Sequence, residues 1–342
     1  MKWISHSYYQ QSSAGLSVNK IRSDAVLTPV EILDLRHFGS PELRPLLERE
    51  ATVWAQRMNW DYRSSAEMIL RYLDSKILPG YAAVEDGRVV GYSFFIYEGS
   101  KGVIGDLFAD NSVSTPARLQ EEMLEHVIET LQQSPGTQRI EAQLLLHDLG
   151  EIAGPFMQAG FRQFPRLFMG LPLGSSRLRG EMMLPATILL RPWQEQDFQP
   201  AASIITAAYR GHVDSQINDQ YRSVPGAMRF LNNIVRFPGC GMFDPSSSFT
   251  AIHKPTNSII GMLLCSRIKN DVGHVTQICV LPEYRNRHIA QAMIENCAQA
   301  LERRRFAELS LTVTEANTRA VDLYLRLGFV KQRVFDAFVW EE

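Results

Sequence analysis

V-L-P-E-Y-R-N-R-H-I-A, from Val280 to Ala290, joins two segments of different period and carries its basic residues at the join. Upstream, Gly273 to Val280 (GHVTQICV) alternates at period two. That puts His274, Thr276, Ile278 and Val280 on one strand face and Val275, Gln277 and Cys279 on the other. Downstream, Ile289, Met293, Cys297 and Leu301 recur every four residues, the apolar stripe of an amphipathic helix. A strand, a proline, a basic turn and a helix in that order aim backbone N–H groups and the positive end of a helix dipole into a turn bearing Arg285, Arg287 and His288. The spacing predicts a site for an anion such as phosphate.

Working outward, 342 residues exceed one ordinary α/β domain, and about 150 residues per domain predicts two. Hydrophobic content of 45% and charged content of 21% are those of a globular protein, and no apolar run reaches the ~18 residues of a membrane span. The opening MKWISHSYYQQSSAGLSVNK has no apolar core of a signal peptide and reads as a polar tail, residues 1–27; a cytoplasmic protein is expected. A net charge of −2 argues against a broad nucleic-acid footprint. Cys240, Cys265, Cys279 and Cys297 form no C-x-x-C pair, so buried free thiols are expected and no metal site.

Ile32 to Arg36 (ILDLR) rhymes with Ile188 to Pro192 (ILLRP), each an opening strand. The hairpin YAAVEDGRVVGYSFF from Tyr81, with an Asp86-Gly87 turn, rhymes with FTAIHKPTNSIIGMLL from Phe249, with a Pro255 to Asn257 turn. Gly91 and Gly261 sit alike in the two hairpins, and PFMQAGFR at Pro155 to Arg162 parallels LYLRLGFV at Leu323 to Val330. Landmarks in the same order, offset by roughly 155–170 residues, indicate an internal duplication. The join falls near Gly174 to Pro185, giving expected domains at 28–175 and 186–342.

With Ile278 to Ala290, and with N-T-R-A-V-D-L-Y-L-R-L-G-F at Asn317 to Phe329, the chain resembles the GNAT superfamily of N-acetyltransferases. The likeness is plain over 186–342 and fainter over the first half. It implies a mixed α+β fold: two tandem GNAT-like domains, each with a mixed, mostly antiparallel central sheet flanked by helices. In that family a V-x-P-x-x-R/Q-x-x-G-x-G/A turn cradles the pyrophosphate of acetyl-CoA, and the tyrosine of a later N-x-x-A-x-x-x-Y-x-x-x-G-F helix meets the cofactor's sulfur. The resemblance therefore implies acetyl-CoA as acyl donor. Ile278, Cys279 and Val280 would lie along its pantetheine arm. Arg285, Asn286, Arg287, His288, Ile289 and Ala290 would lie at its phosphates, and Asn317 and Tyr324 near the thioester. His288 stands where the inner glycine is expected, which predicts weakened but not lost cofactor affinity.

Transfer to an amine needs a held thioester, a neutral amine and a stabilised leaving thiolate. Tyr324, with an ordinary phenol pKa near 10, suits a proton donor to the thiolate. Asn317 also suits an N-cap. His274, with an ordinary pKa near 6.5, suits the base, although a satisfied strand histidine explains it equally well. The first half has no such turn: Leu107 to Leu119 (LFADNSVSTPARL) lacks glycine and offers Asp106 and Asp110 nearby, and Phe156 stands where Tyr324 stands in the second half. It reads as a degenerate copy that binds no cofactor and packs against or shapes the substrate cleft. The polar and aromatic segment Tyr209 to Ser248, with His212, Asp214, Asp219, Tyr221 and Asp244, fits acceptor selection or an ordinary solvated loop.

The resulting expectation is an N-acetyltransferase acting through its C-terminal half on a primary amine, small or protein-borne. A non-catalytic acyl-CoA-binding regulatory module is the alternative. A monomer is compatible, since a duplication mimics a dimer.

Overall fold

A computed structural model describes residues 30–174, 184–236 and 241–342. The polar segment 1–27, most of the join and Cys240 lie outside the described residues. The first half runs β1 (Glu31–Asp34), α1 (Ser40–Met58), α2 (Arg63–Asp74), β2 (Gly80–Glu85), β3 (Arg88–Glu98), β4 (Lys101–Ala109), α3 (Pro116–Gln133), β5 (Arg139–Gln143), α4 (Ala153–Gln158) and β6 (Arg162–Pro172). The second runs β7 (Ile188–Pro192), α5 (Phe198–Ala208), α6 (Asp214–Ile217), α7 (Val224–Arg236), β8 (Met242–Phe243), β9 (Phe249–His253), β10 (Ser258–Lys269), β11 (Val272–Val280), α8 (Ile289–Arg303), β12 (Glu308–Thr314), α9 (Thr318–Arg326) and β13 (Val330–Glu341). Apart from the short β8, the two halves repeat one strand order. Asp86 and Gly87 supply the left-handed backbone of the first hairpin turn, and Asn257 that of the second.

Among the described residues one mixed sheet is shared by both halves, in the order β1-β2-β3-β4-β5-β13-β6-β12-β11-β10-β9-β7, with β8 on β10. The last strands have changed places. β13 lies between β5 and β6, and β6 pairs with β12 over seven positions, so each half is completed by the other's final strand. The exchange follows where their apolar faces are buried. Leu167, Met169 and Leu171 of β6 join the core under α8, whereas Phe338 of β13 stacks on Phe156 in the core under α3, at 4.0 Å between ring centres.

Two helix layers cover the sheet. The α3 and α8 side buries one core in each half; α1 with α2, and α5 with α7, bury another pair on the opposite side. Ile289, Met293, Cys297 and Leu301 are all buried, as the four-residue stripe predicts. Each half also grips the other's loop between its first helices. Lys101 ion-pairs with Glu98, Glu141 and Asp219, and Arg139 donates to the carbonyls of Gln216 and Ile217, fixing the segment 214–222 against β4 and β5. Reciprocally, Asn59 donates to Glu308, the amide of Asp61 donates to Ile268, and Trp60 packs on His274 at 5.2 Å.

The feature that makes room for a site is a divergence of two parallel strands. β11 pairs with β12 only from Val272 to Val275, then leaves it. At the departure Thr276 is an extra residue: Cys265 faces Val275 but Leu264 faces Gln277, a β-bulge. The bulge corrects the simple alternation expected for this strand. Val275 and Val280 both enter the α8 core, while Cys279 enters the α5–α7 core and His274 packs on Trp60 and Phe168. His274 and Val280 therefore lie on opposite faces, not on one.

Candidate active site

The diverging strands open a cleft of about 760 Å³, lined on one edge by Thr276 to Val280 and on the other by Leu311 to Val313. The β11 edge uses its inner backbone groups against β10, from Gln277 opposite Leu264 to Val280 opposite Gly261. Toward β12 the strand has no partner beyond Val275 among the described residues. An extended, amide-bearing chain fits such an edge as an added strand would.

At the outer end of the edge the turn enters α8. Asn286 and His288 both adopt left-handed backbone, with φ of 61° and 59°. A β-carbon at such an angle is disfavoured by roughly 1–2 kcal/mol, the physical reason a glycine suits position 288. His288 precedes α8 without capping it by its side chain, which leaves the first N–H groups of the helix without a side-chain cap, and the small Ala290 lines the cleft. Arg285 is a brace: its guanidinium donates to the carbonyls of Ala208 at 2.7 Å and Val280 at 3.3 Å. Arg319 of α9 ties in Asn286 at 2.6 Å.

Of the residues singled out from sequence, His274, Ile278, Cys279, Val280, Arg285, Asn286, His288, Ile289, Ala290, Asn317 and Tyr324 all line this one cleft. Arg287 does not: it sits over the Tyr284 ring at 5.2 Å and donates to the carbonyl of Glu283. Asn317 does two things, accepting from the Ala320 amide as the cap of α9 while lining the cleft.

Burial displaces several titratable groups of the cleft, among them Tyr209, whose phenol it pushes well above its ordinary value. The Tyr324 phenol is pushed above its ordinary value by burial and secondarily by the charge of Asp214, so it stays protonated. The Cys279 thiol is raised to about 12 by burial, so it is no thiolate at neutral pH. His274 is lowered to about 3, first by burial and then by the charge of Arg166. So placed, the imidazole is neutral at ordinary pH and resembles the satisfied strand histidine of the two sequence readings, and Trp60, contributed by the first half, is part of what buries it. The Ser310 hydroxyl lies 2.9 Å from His274 Nδ1 and 3.2 Å from the Gly273 carbonyl, so the ring is hydrogen-bonded on its Nδ1 side.

On this inner side sequence reasoning missed a cleft residue altogether. Arg166 belongs to β6, and the strand exchange carries it beside Thr314 of β12. Asp214 accepts from the Thr314 hydroxyl and lies 3.4 Å from His212 Nδ1. Tyr209 and Tyr221 stack at 4.4 Å, and the Tyr209 hydroxyl donates to the carbonyl of Ile278.

The first half repeats the divergence but fills it. β4 leaves β5 after Ile104, with a bulge at Gly105. The Leu107 carbonyl, equivalent to that of Ile278, lies 2.9 Å from His147 Nε2, and the Leu107 amide donates to Asp106. Tyr62, Tyr92 and Glu50 complete a buried network around Asp106, and burial with the Asp106 charge pushes the Glu50 carboxyl well above its usual range. These internal partners take both the amide and the carbonyl of Leu107, whereas among the described residues only the carbonyl of Ile278 is taken in the second half, by the Tyr209 hydroxyl.

Residues 218–329 match the model of the acetyltransferase (GNAT) family. No curated protein sequence matches the chain. Among solved structures, a GCN5-related N-acetyltransferase from Sphaerobacter thermophilus is 16% identical with a TM-score of 0.63, the match covering 92% of this chain and 96% of that one. A tandem GNAT protein from the clavulanic acid biosynthesis pathway is 13% identical with a TM-score of 0.57, covering 92% and 98%. A GCN5-related glucosamine N-acetyltransferase region of a fungal multi-domain β-N-acetylglucosaminidase is 13% identical with a TM-score of 0.61, covering 92% of this chain and 38% of that one. At these identities the likeness is one of fold, the tandem arrangement included.

Proposed function

We propose that this chain, which carries a GNAT-family domain at 218–329 within a tandem GNAT fold, transfers an acetyl group from acetyl-CoA to a primary amine in its C-terminal cleft. One observation carries the reading: the diverging β11 and β12 connect an uncapped helix start, suited to phosphate, with a buried protonated Tyr324 inside the same cleft. The amides from Asn286 to Ala290 hold the pyrophosphate, and the outward edge of Ile278 to Val280, whose Ile278 and Val280 carbonyls already accept from Tyr209 and Arg285, offers its amides to the pantetheine arm. The amine lone pair attacks the thioester carbonyl carbon as the carbon–sulfur bond breaks, and the departing sulfur takes the Tyr324 hydroxyl proton. The proton lost by the amine passes to Asp214, which lies 3.4 Å from His212 Nδ1. His274, held neutral by burial, is not the base in this reading. A thiol held near pKa 12 at Cys279 argues against an acyl-enzyme, so transfer is direct.

The test is thiol release from acetyl-CoA across a panel of amines, with Tyr324→Phe beside the parent. Amine-dependent release that falls by about 10²–10⁴-fold in kcat in the variant, with acetyl-CoA binding retained, is expected. Acetyl-CoA binding with no release for any amine would favour a regulatory module.

A further inference from the structure

The inner end of the cleft contains donors that nothing among the described residues satisfies. Arg166 is half-buried, and among the described residues no carboxylate lies within ion-pairing distance of it. One Nη donates to Gln143 Oε1 at 2.9 Å, while the buried Nε has no partner. Gln277 is only 4% exposed; its Oε1 lies 3.4 Å from the Tyr221 hydroxyl, and its Nε2 has no partner either. Both residues line the cleft. Leaving a buried donor unmade is costly, the more so for a charged group, unless a ligand compensates.

These donors do not belong to the phosphate end. The turn at 285–290 leads into α8, whose stripe packs with Val275, Val280, Leu311 and Val313 on one side of the sheet. Arg166 and Gln277 lie on the other side. Arg166 is two residues from Phe168, which stacks on His274, and Gln277 is two residues from Cys279 in the α5–α7 core. A carboxylate, Asp214, lines the same chamber and is held by Thr314, the residue opposite Arg166 in the β6–β12 register. One chamber thus offers a positive fork and an amide on one wall and a negative group on another.

We propose that Arg166 and Gln277 form a carboxylate subsite, so that the acceptor is an amino acid-like molecule carrying a primary amine and a carboxylate together. This rests on the acyl-transfer reading above. The guanidinium edge and the Gln277 amide donate to the carboxylate oxygens, and Asp214 faces the ammonium before it loses its proton. Because β6 is borrowed from the first half, the degenerate half supplies part of acceptor recognition. A plain alkylamine leaves both donors unpaired, which gives the site a means of rejecting it.

The experiment compares matched acceptors, 6-aminohexanoate with hexylamine and lysine with cadaverine, in the parent, Arg166→Gln and Gln277→Leu. Circular dichroism and acetyl-CoA affinity check that each variant is folded. In the parent, kcat/KM favours the carboxylate-bearing member by on the order of 10- to 100-fold, and in both variants the ratio falls toward one, chiefly through KM. Equal ratios in parent and variants, or a preference for plain amines or for phosphate-bearing amines, would overturn the proposal. Calorimetric binding of 6-aminohexanoate to the acetyl-CoA-saturated chain separates this failure from that of the transfer reading. Arg166-dependent binding without thiol release would leave the subsite standing and remove the catalysis.

Discussion

Substituting Phe338→Ala in the last strand should weaken the first half of the molecule, about 200 residues away in sequence. Phe338 is 1% exposed and stacks on Phe156 at an interplanar angle of 11°. Truncating so buried a phenyl ring removes about 3–5 kcal/mol, a large share of the roughly 5–15 kcal/mol that holds a domain folded. Urea denaturation gives the loss, and hydrogen exchange gives its location: α3, β4 and β5 should lose protection first, because β13 is their neighbour and not that of β12. The reciprocal substitution, Met169→Ala in β6, should instead lower protection in α8 and β12, at about 2–5 kcal/mol. Loss of protection confined to 186–342 in the Phe338 variant, or a destabilisation below about 1 kcal/mol, would refute the strand exchange.

Cys279→Ala should retain turnover within a few-fold and form no acetylated protein detectable by mass spectrometry, since a thiol near pKa 12 is no acyl carrier; trapping of an acetyl-cysteine would contradict direct transfer. His274 supplies a pH dependence. Its native pKa of about 3 lies below the ordinary 6.5, so the unfolded chain takes up a proton that the native chain refuses between those values. Stability therefore falls as pH drops through that window, by up to about 1.4 kcal/mol per pH unit, and His274→Gln should show a shallower slope between pH 6 and 4. Parallel slopes in urea titrations would mean that His274 titrates normally.

Much of this architecture is legible in the sequence because local chemistry fixes it. Asp86-Gly87 and Asn257 sit where left-handed turns need them, the α8 stripe repeats at four residues, and the turn at 285–290 announces itself by composition. The strand exchange is invisible because the alternation of β6 and β13 specifies which faces are buried and not which sheet receives them. The bulge at Thr276 is equally silent: no glycine or proline marks it, yet one extra residue moves His274 to the face opposite Val280. Arg166 escaped notice for the first reason and the depressed His274 for both, since its burial depends on Trp60 reaching across from the other half.

The central claim, one acyl-CoA site in the second half and a closed counterpart in the first, is tested most directly by calorimetric titration of acetyl-CoA into the full chain and into Ala290→Glu. The account predicts a stoichiometry of one per chain and loss of binding in the variant, whose carboxylate would meet the phosphates at the start of α8. Two sites per chain, or affinity unchanged by Ala290→Glu, would contradict it.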